Sequence, residues 1–333
     1  MNRTTPSYYR QFRCIASQCP DSCCKEWDVL VDDASAARYR TLPGPLGDRL
    51  RQVLLDTEDG TVMQIENGRC PMWRADGLCR IQAELGEAAL CQVCSEFPRL
   101  THDYGDFVEH QLELSCPAAA RLILSDRENR LVTESVPGGC DADYDADLMN
   151  ILLCSRAEAL ALLADPDRTP EQALTLLLMY GYHIQAQLDG DAESPFDPDA
   201  AFTEAVQFAQ PGDIRCLLDF FAELEILTPE WAALLKKPAV QTQWSGELLA
   251  MARYLVLRYW LQASADFDLI CRVKLIIASC LGVRVLGGDV FRTAQLYSKE
   301  IENSAENVDA ILDAAYTHPA FTDAHLLHWL QSL

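Results

Sequence analysis

Apolar and polar positions follow a helical period over most of the second half of the chain. Apolar residues recur three and four positions apart, which is the spacing of an amphipathic helix. Thr169, followed by Pro170 and Glu171, is a typical helix start. The predicted helices cover 148–165, 169–188, 213–227, 244–262, 267–286, 289–302 and 324–331.

The first part of the chain is mixed. Helical spacing covers 34–56, two short helices joined at Gly86 are predicted over 79–94, and another helix covers 117–126. Weak alternation over 61–68 ends in Asn-Gly, which indicates a strand and a turn. The stretch 99–115 reads as strand, Tyr-Gly-Asp turn and strand, and so predicts a small β-hairpin. The predicted fold class is therefore mainly α.

A domain boundary is predicted where proline, two glycines and an acidic run follow one another at 136–147. A chain of 333 residues is long enough for about two domains. We predict an irregular, cysteine-rich, metal- or cluster-binding domain over 1–139. An acidic α-helical domain is predicted over 140–333.

The charge is strongly negative and unevenly distributed. The whole chain carries −23; residues 1–139 have 15 basic against 21 acidic residues (net −6), and the rest has 12 against 29 (net −17). Such a surface repels phosphate backbones, which argues against nucleic acid as a partner. It would attract a lysine-bearing protein, although acidity also keeps a protein in solution without any partner.

A cytoplasmic location is expected. The first residues have no apolar core of a secretory signal, and no long uncharged apolar run is present. The most apolar stretch, 269–286, carries Arg272, Lys274 and Arg284, so it is predicted to be a buried helix rather than a membrane span. In the cytoplasm disulfides are disfavoured, and clustered cysteines more often bind metal or react.

Cysteines concentrate at the N-terminal end. Ten of the 14 lie within residues 14–140, and the other four stand in apolar helical contexts typical of core positions. The spacing is Cys14-x4-Cys19-x3-Cys23-Cys24, then Cys70-x8-Cys79, Cys91-x2-Cys94 and Cys116. Since successive side chains of an extended chain point to opposite sides, Cys23 and Cys24 face one centre only if the chain bends between them.

Thiolates are soft ligands suited to zinc and to iron–sulfur clusters. These cysteines fall mostly in predicted loops or at element ends, which lets ligands approach from several directions. Burial as structural cysteines is the alternative interpretation. The long, uneven gaps favour a cluster slightly over paired zinc sites, but spacing leaves both open.

Four stretches together resemble the flagellin lysine-N-methylases: YYRQFRCIASQCPDSCCKEWDVLVD, CPMWRADGLCRIQAELGEAAL, CSEFPRL and LELSCPAAARLIL, within about residues 7–125. The resemblance implies transfer of methyl groups from S-adenosylmethionine to flagellin lysines and a bound iron–sulfur cluster of the 4Fe–4S type, with zinc as the alternative. It places the metal ligands at Cys14, Cys19, Cys23, Cys24, Cys70, Cys79, Cys94 and Cys116, and leaves Cys91 as an extra.

The chain departs from related patterns in ways that bear on mechanism. Cys14 is farther from the next cysteine than in the family's CxxCxxCC motif, and the spacing is not the CxxxCxxC of common radical S-adenosylmethionine enzymes. The nearest match to a Gly-rich nucleotide-binding turn, 282–288, ends a helical run and reads as a helix C-cap. Residues for catalysis and for binding the methyl donor therefore stay unassigned. A non-catalytic metal-binding module for protein interaction is the alternative function.

Overall fold

The computed structural model describes residues 1–25, 27–58, 60–191, 195–238 and 243–332. Its helical content confirms the predicted, mainly α class. The strands are β1 Asn2–Pro6, β2 Val29–Val31, β3 Leu54–Thr57, β4 Gly60–Met63, β5 Arg99–Asp103, β6 Phe107–Leu112 and β7 Leu131–Ser135.

The α-helices within the described ranges divide into a short N-terminal group and a longer C-terminal group. The first group is α1 Asp33–Thr41, α2 Gly44–Val53, α3 Arg80–Leu85, α4 Gln92–Glu96 and α5 Pro117–Ser125. The second group is α6 Ala146–Ala164, α7 Pro170–Leu188, α8 Pro198–Phe208, α9 Arg215–Glu223, α10 Pro229–Lys236, α11 Gly246–Tyr259, α12 Ile270–Leu286, α13 Val290–Ile301, α14 Ala305–Thr317 and α15 Asp323–Ser332.

The predicted β-hairpin is confirmed and lies at one edge of a four-stranded sheet. The strand order is β5-β6-β1-β7, with β1 parallel to β6 and antiparallel to β7. Strands β5 and β6 pair antiparallel from Arg99 opposite Leu112 to Asp103 opposite Val108. Gly105 in the connecting turn has φ 89°, a left-handed conformation that favours glycine. The N-terminal strand thus joins two segments that lie about one hundred residues further along.

The helical prediction over 34–56 is wrong for its last residues, which belong to a second sheet. Helices α1 and α2 are present, but the last part of that stretch forms β3, which pairs with β4 from Leu54 opposite Met63. The sheet order is β2-β4-β3. Backbone pairing with β4 overrides the helical spacing there, because the strand hides Leu54 while leaving Leu55 exposed.

The described residues form two hydrophobic cores. The smaller core is formed by buried residues between Val29 and Cys91, from the three-stranded sheet, α1, α2 and the cysteine-bearing loops. The larger core includes the helices from α5 onward and also Tyr8 and Phe12. Residues on both sides of 136–147 therefore contribute to the larger core. The division into domains at residue 139 stays a prediction.

The C-terminal helices surround α12, in which every residue is buried. This confirms that 269–286 is a buried helix. Helix α7 begins with the predicted Thr169 cap, which forms a reciprocal capping box with Gln172. No helix in the described part of the chain is long and apolar enough to cross a membrane.

A buried ion pair ties the four-stranded sheet to the helices. The Arg156 guanidinium on α6 donates to both carboxylate oxygens of Glu109 on β6, at 2.7 and 2.6 Å. Both side chains are only 6% exposed. Because β6 leads directly to Cys116, this pair helps to fix the position of one predicted ligand segment relative to the helices.

Candidate metal centre

The predicted ligands lie in loops and in or at the starts of short helices. Cys24, Cys70, Cys79 and Cys94 belong to the smaller core or pack against it, and Cys116 belongs to the larger core. Cys14, Cys19, Cys23 and Cys24 precede β2, and Cys70 follows β4. Two others stand at helix N-caps, Cys79 before α3 and Cys116 before α5, and Cys91, which is outside the predicted set, is the N-cap of α4. Cys94 lies within α4. All of these thiols are free.

The thiol of Cys24 contacts two others, those of Cys23 and Cys70. Hydrogen bonds from the thiols of Cys23 and Cys70 lower the pKa of Cys24 to about 3. The Cys70 backbone N–H also donates to the Cys24 carbonyl at 2.7 Å, which holds the two segments together. Residues 23 and 24 lie in a turn. The chain therefore bends there, and the two adjacent cysteines are not directed to opposite sides.

Cys91 and Cys94 form a second thiol pair. A hydrogen bond from Cys94 lowers the pKa of Cys91 to about 7, and donation to Cys91 raises the pKa of Cys94. The charges of Cys24 and Cys23 raise the pKa of Cys94 further, so this pair lies within electrostatic range of the first group. Cys91, which the sequence leaves outside the ligand set, is therefore part of the same cluster.

Four predicted ligands remain. Cys79 interacts with the charges of Cys24 and Cys91, whereas Cys14, Cys19 and Cys116 are linked to the cluster through Cys23. The pKa of Cys23 is raised first by its hydrogen bond to Cys24 and by burial, and then by the charges of Cys24, Cys14 and Cys116. Burial raises the pKa of Cys116 to about 11, and the charges of Cys19 and Cys14 contribute in the same direction. All eight predicted ligands and Cys91 are thus linked by mutual hydrogen bonds or charge interactions, and we call these nine residues the thiol cluster.

Backbone N–H groups donate hydrogen bonds to several of the buried or half-buried sulfurs. Hydrogen bonds of this kind favour the thiolate, and in metal centres they tune the sulfur ligands. In each case the donor lies two or three residues after the cysteine. The pairs are Asp21 to Cys19, Met72 to Cys70, Gln82 and Ile81 to Cys79, and Ala119 and Ala118 to Cys116.

The donor set fits a soft metal centre, because nine thiols from five chain segments share one region and backbone N–H groups stabilise the charged forms of several of them. Across the described ranges, no three Cys, His, Asp or Glu side chains are arranged as the ligands of a single ion. The structure therefore assigns no coordination geometry. Which of the nine residues share a centre stays a prediction.

The other cysteines lie away from the thiol cluster. Cys271 and Cys280 are buried in α12, which confirms their prediction as core residues. Cys154 is exposed on α6, so its prediction as a core residue is wrong. It occupies the solvent side of a helix whose opposite face carries Leu152, Ser155 and Ala159.

Two residues at the thiol cluster were not identified from the sequence. Asp21 lies between Cys19 and Cys23 and is buried, and Gln295 lies on the distant helix α13 and contacts Asp21. The acidic residue inside a cysteine-rich loop was a visible signal. No pattern along the sequence connects Gln295 to that loop.

The fold and the site define a class of protein: a mainly helical protein with a thiol cluster in its N-terminal part. A lysine-N-methylase of Salmonella typhimurium is 33% identical over 138 residues, which are 39% of this chain and 34% of that protein. The flagellar biosynthetic protein FliU of Salmonella muenchen is 32% identical over 136 residues, which are 37% of this chain and 77% of that protein. No protein-family model matches the chain, and no solved structure matches it.

The chain belongs to the family of FliU and the lysine-N-methylases. The match spans about a third (34%) of the length of the lysine-N-methylase. A second lysine-N-methylase, from Salmonella choleraesuis, shows the same 33% identity over 138 residues.

Proposed function

We propose that the protein is an S-adenosylmethionine-dependent lysine N-methyltransferase that acts on flagellin and holds an iron–sulfur cluster of the 4Fe–4S type. The observation that carries the proposal is the convergence of nine thiols from five segments in a member of the lysine-N-methylase family. The ligands would come from Cys14, Cys19, Cys23, Cys24, Cys70, Cys79, Cys94 and Cys116, with Cys91 within reach of the same region.

Methyl transfer to lysine requires a neutral amine, since the ammonium form has no lone pair. Overall, one lysine N–H bond is replaced by an N–CH3 bond, the S–CH3 bond of the donor breaks, and a proton is released. A bound cluster would supply a soft, redox-capable centre with Lewis acidity beside the reactants. The chain's own contribution is to bring the thiols together and to position them through backbone hydrogen bonds.

The charge of the chain supports a lysine-bearing partner. The net charge is −23, and residues 140–333 account for −17 of it (12 basic against 29 acidic residues). Such a field attracts cationic side chains and raises association rates at low salt. Flagellin methylation should therefore slow as ionic strength rises, because the attraction between exposed charges is screened.

The direct test is a methylation assay on purified flagellin. The full-length protein is purified without oxygen and incubated with flagellin and S-adenosylmethionine carrying an isotopically labelled methyl group. Mass spectrometry of flagellin peptides should show label on lysines. Unlabelled flagellin, with the metal centre shown to be intact, would contradict the enzyme and favour a non-catalytic metal-binding module.

Matched cysteine variants separate the thiol cluster from general effects of cysteine loss. Cys24→Ser removes the thiol that accepts hydrogen bonds from two others. Cys154→Ser removes an exposed thiol on α6 and serves as the control. We expect the first variant to lose labelling and the second to retain it. Equal labelling by both would contradict a role for the thiol cluster in the reaction.

A further inference from the structure

Gln295 on α13 connects two cysteine segments that are far apart in sequence. Its side chain is buried, with only 1% of the residue exposed. The amide nitrogen donates to the Ser115 carbonyl at 2.6 Å and to the Asp21 carboxylate at 3.2 Å. Ser115 directly precedes Cys116, and Asp21 lies between Cys19 and Cys23. The Gln295 side-chain amide therefore donates one hydrogen bond to each of the two loops that carry candidate ligands.

Asp21 is held by three cations as well as by Gln295. Its carboxylate lies 2.7 Å from the Lys25 ammonium, 3.2 Å from the Arg292 guanidinium and 3.5 Å from the Lys299 ammonium. Its side chain is almost fully buried. A buried carboxylate is tolerated when it is paired and hydrogen-bonded in this way, so the loop is fixed at a defined position on α13.

Helix α13 is itself rigidly placed. The Arg292 guanidinium also pairs with Glu230 of α10, and the Gln295 carbonyl oxygen accepts a hydrogen bond from Arg292. The Thr293 hydroxyl donates to the Gly287 carbonyl at 2.7 Å, which secures the start of the helix. The contacts to Asp21 and Ser115 thus come from a fixed surface of the larger core.

We propose that Gln295 and Asp21 are positioning residues that hold the Cys19–Cys24 loop and the Cys116 segment together at one centre. The inference rests on the proposed function for the identity of that centre as an iron–sulfur cluster. The positions of the thiols do not depend on the proposed function, because the structure itself gives them. The C-terminal helices thereby contribute to a centre whose candidate ligands all lie in the first 116 residues.

The test uses Gln295→Met, which keeps the length of the side chain and removes its hydrogen bonds. Gln185→Met is a control with the same kinds of hydrogen bond at a less buried site, because the Gln185 amide also donates to a carboxylate, Asp189 at 3.0 Å, and to a backbone carbonyl, Phe267 at 2.9 Å. Asp21→Asn is a second variant, which keeps the shape of the side chain and removes its charge.

The first readout is the rate at which iodoacetamide alkylates Cys116 in the metal-free proteins, followed by peptide mass spectrometry. Cys116 is buried, and the fully buried Cys280 reports global unfolding in the same sample. Loss of hydrogen bonds to a charged group should raise the Cys116 rate by about tenfold or more in Gln295→Met and Asp21→Asn. The Cys280 rate and the Gln185→Met protein should stay at the wild-type level.

The second readout is iron and sulfide content, with the electron paramagnetic resonance spectrum of the reduced protein. Both Asp21→Asn and Gln295→Met should bind less iron or show an altered spectrum, while Cys280 stays protected and Gln185→Met matches the wild type. If Cys280 becomes reactive in Gln295→Met, that variant has unfolded. The positioning role is then tested by the result for Asp21→Asn alone.

Wild-type rates and spectra in both variants would overturn the positioning role. Absence of iron from the wild type would overturn the proposed cluster instead, and the alkylation rates would still decide whether Gln295 and Asp21 position the thiols.

Discussion

The buried ion pair between Glu109 and Arg156 gives the sharpest prediction about stability. Both side chains are 6% exposed, and they share two hydrogen bonds of 2.7 and 2.6 Å. Arg156→Met would leave the Glu109 carboxylate buried without its cation. Breaking one side of a buried pair costs about 3–5 kcal/mol, because the desolvated charge that remains has no partner.

Replacing both members should cost much less than replacing one. In Glu109→Leu/Arg156→Met no charge is left unpaired, and well-packed apolar replacements of buried pairs are often neutral or stabilising. The free energy of unfolding is measured by urea titration for the wild type, both single variants and the double variant. We expect a large favourable coupling energy between the two positions.

The more exposed pair between Arg168 and Asp165 supplies the control. It lies at the end of α6, the helix that carries Arg156, at 3.1 Å and with side chains 22% and 33% exposed. Arg168→Met should therefore lower the free energy of unfolding by less than about 1 kcal/mol. If Arg156→Met cost no more than Arg168→Met, the reasoning about burial would be refuted.

Three further variants probe the fold and its pH dependence. In His102→Leu the free energy of unfolding, measured by urea titration, should fall less than in the wild type between about pH 7 and pH 5, where an ordinary histidine gains its proton. Gly181→Ala should lower the free energy of unfolding by about 1–3 kcal/mol, because a Cβ there would lie 2.9 Å from Val273. Asp32→Ala should lower it by about 1–2 kcal/mol, since one carboxylate accepts backbone N–H groups at the starts of both α1 and α4.

The sign of the pH effect follows from the environment of His102. Burial lowers the pKa of this imidazole; Arg258 and Arg156 lower it further, and Glu109 opposes them. The unfolded chain therefore binds the proton more readily, so this contribution to stability is complete above pH 6.5 or so and is lost as pH falls through the folded pKa. An unchanged pH slope in His102→Leu would contradict this assignment.

The results that would contradict the other two predictions are as follows. Wild-type stability of Gly181→Ala would mean that α7 and α12 can separate without cost. If Asp32→Asn, which retains one acceptor oxygen, were as unstable as Asp32→Ala, capping would not be the cause.

Local periodicity predicted most of the helices but few of the strands. Helices α6, α7, α9, α11, α12, α13 and α15 were predicted from the spacing and abundance of apolar residues, and the structure confirms them. Helices α8, α10 and α14 and strands β1, β2 and β7 were not predicted. The strands in the first sheet depend on partners far along the chain: Asn2 pairs with both Phe107 and Ser135, and short segments carry no sign of such pairing.

The thiol cluster was predictable as a set because cysteine is a rare residue with distinctive chemistry. The residues that hold the cluster in position could not be predicted. Gln295 and Asp21 are 274 residues apart, and a single glutamine on a helix gives no sign of what it will contact. Cys91 was set aside because the family resemblance did not include it, whereas the structure places it in hydrogen-bond contact with Cys94.

X-ray absorption at the iron and zinc edges of the full-length protein, purified without oxygen, tests most directly whether the thiol cluster holds an iron–sulfur centre. Ligation by the cluster predicts bound iron surrounded by sulfur, with a second shell of iron from the sulfide-bridged core, and loss of this signal in Cys24→Ser but not in Cys154→Ser. Zinc alone, iron bound through nitrogen or oxygen, or no bound metal would contradict the proposed centre.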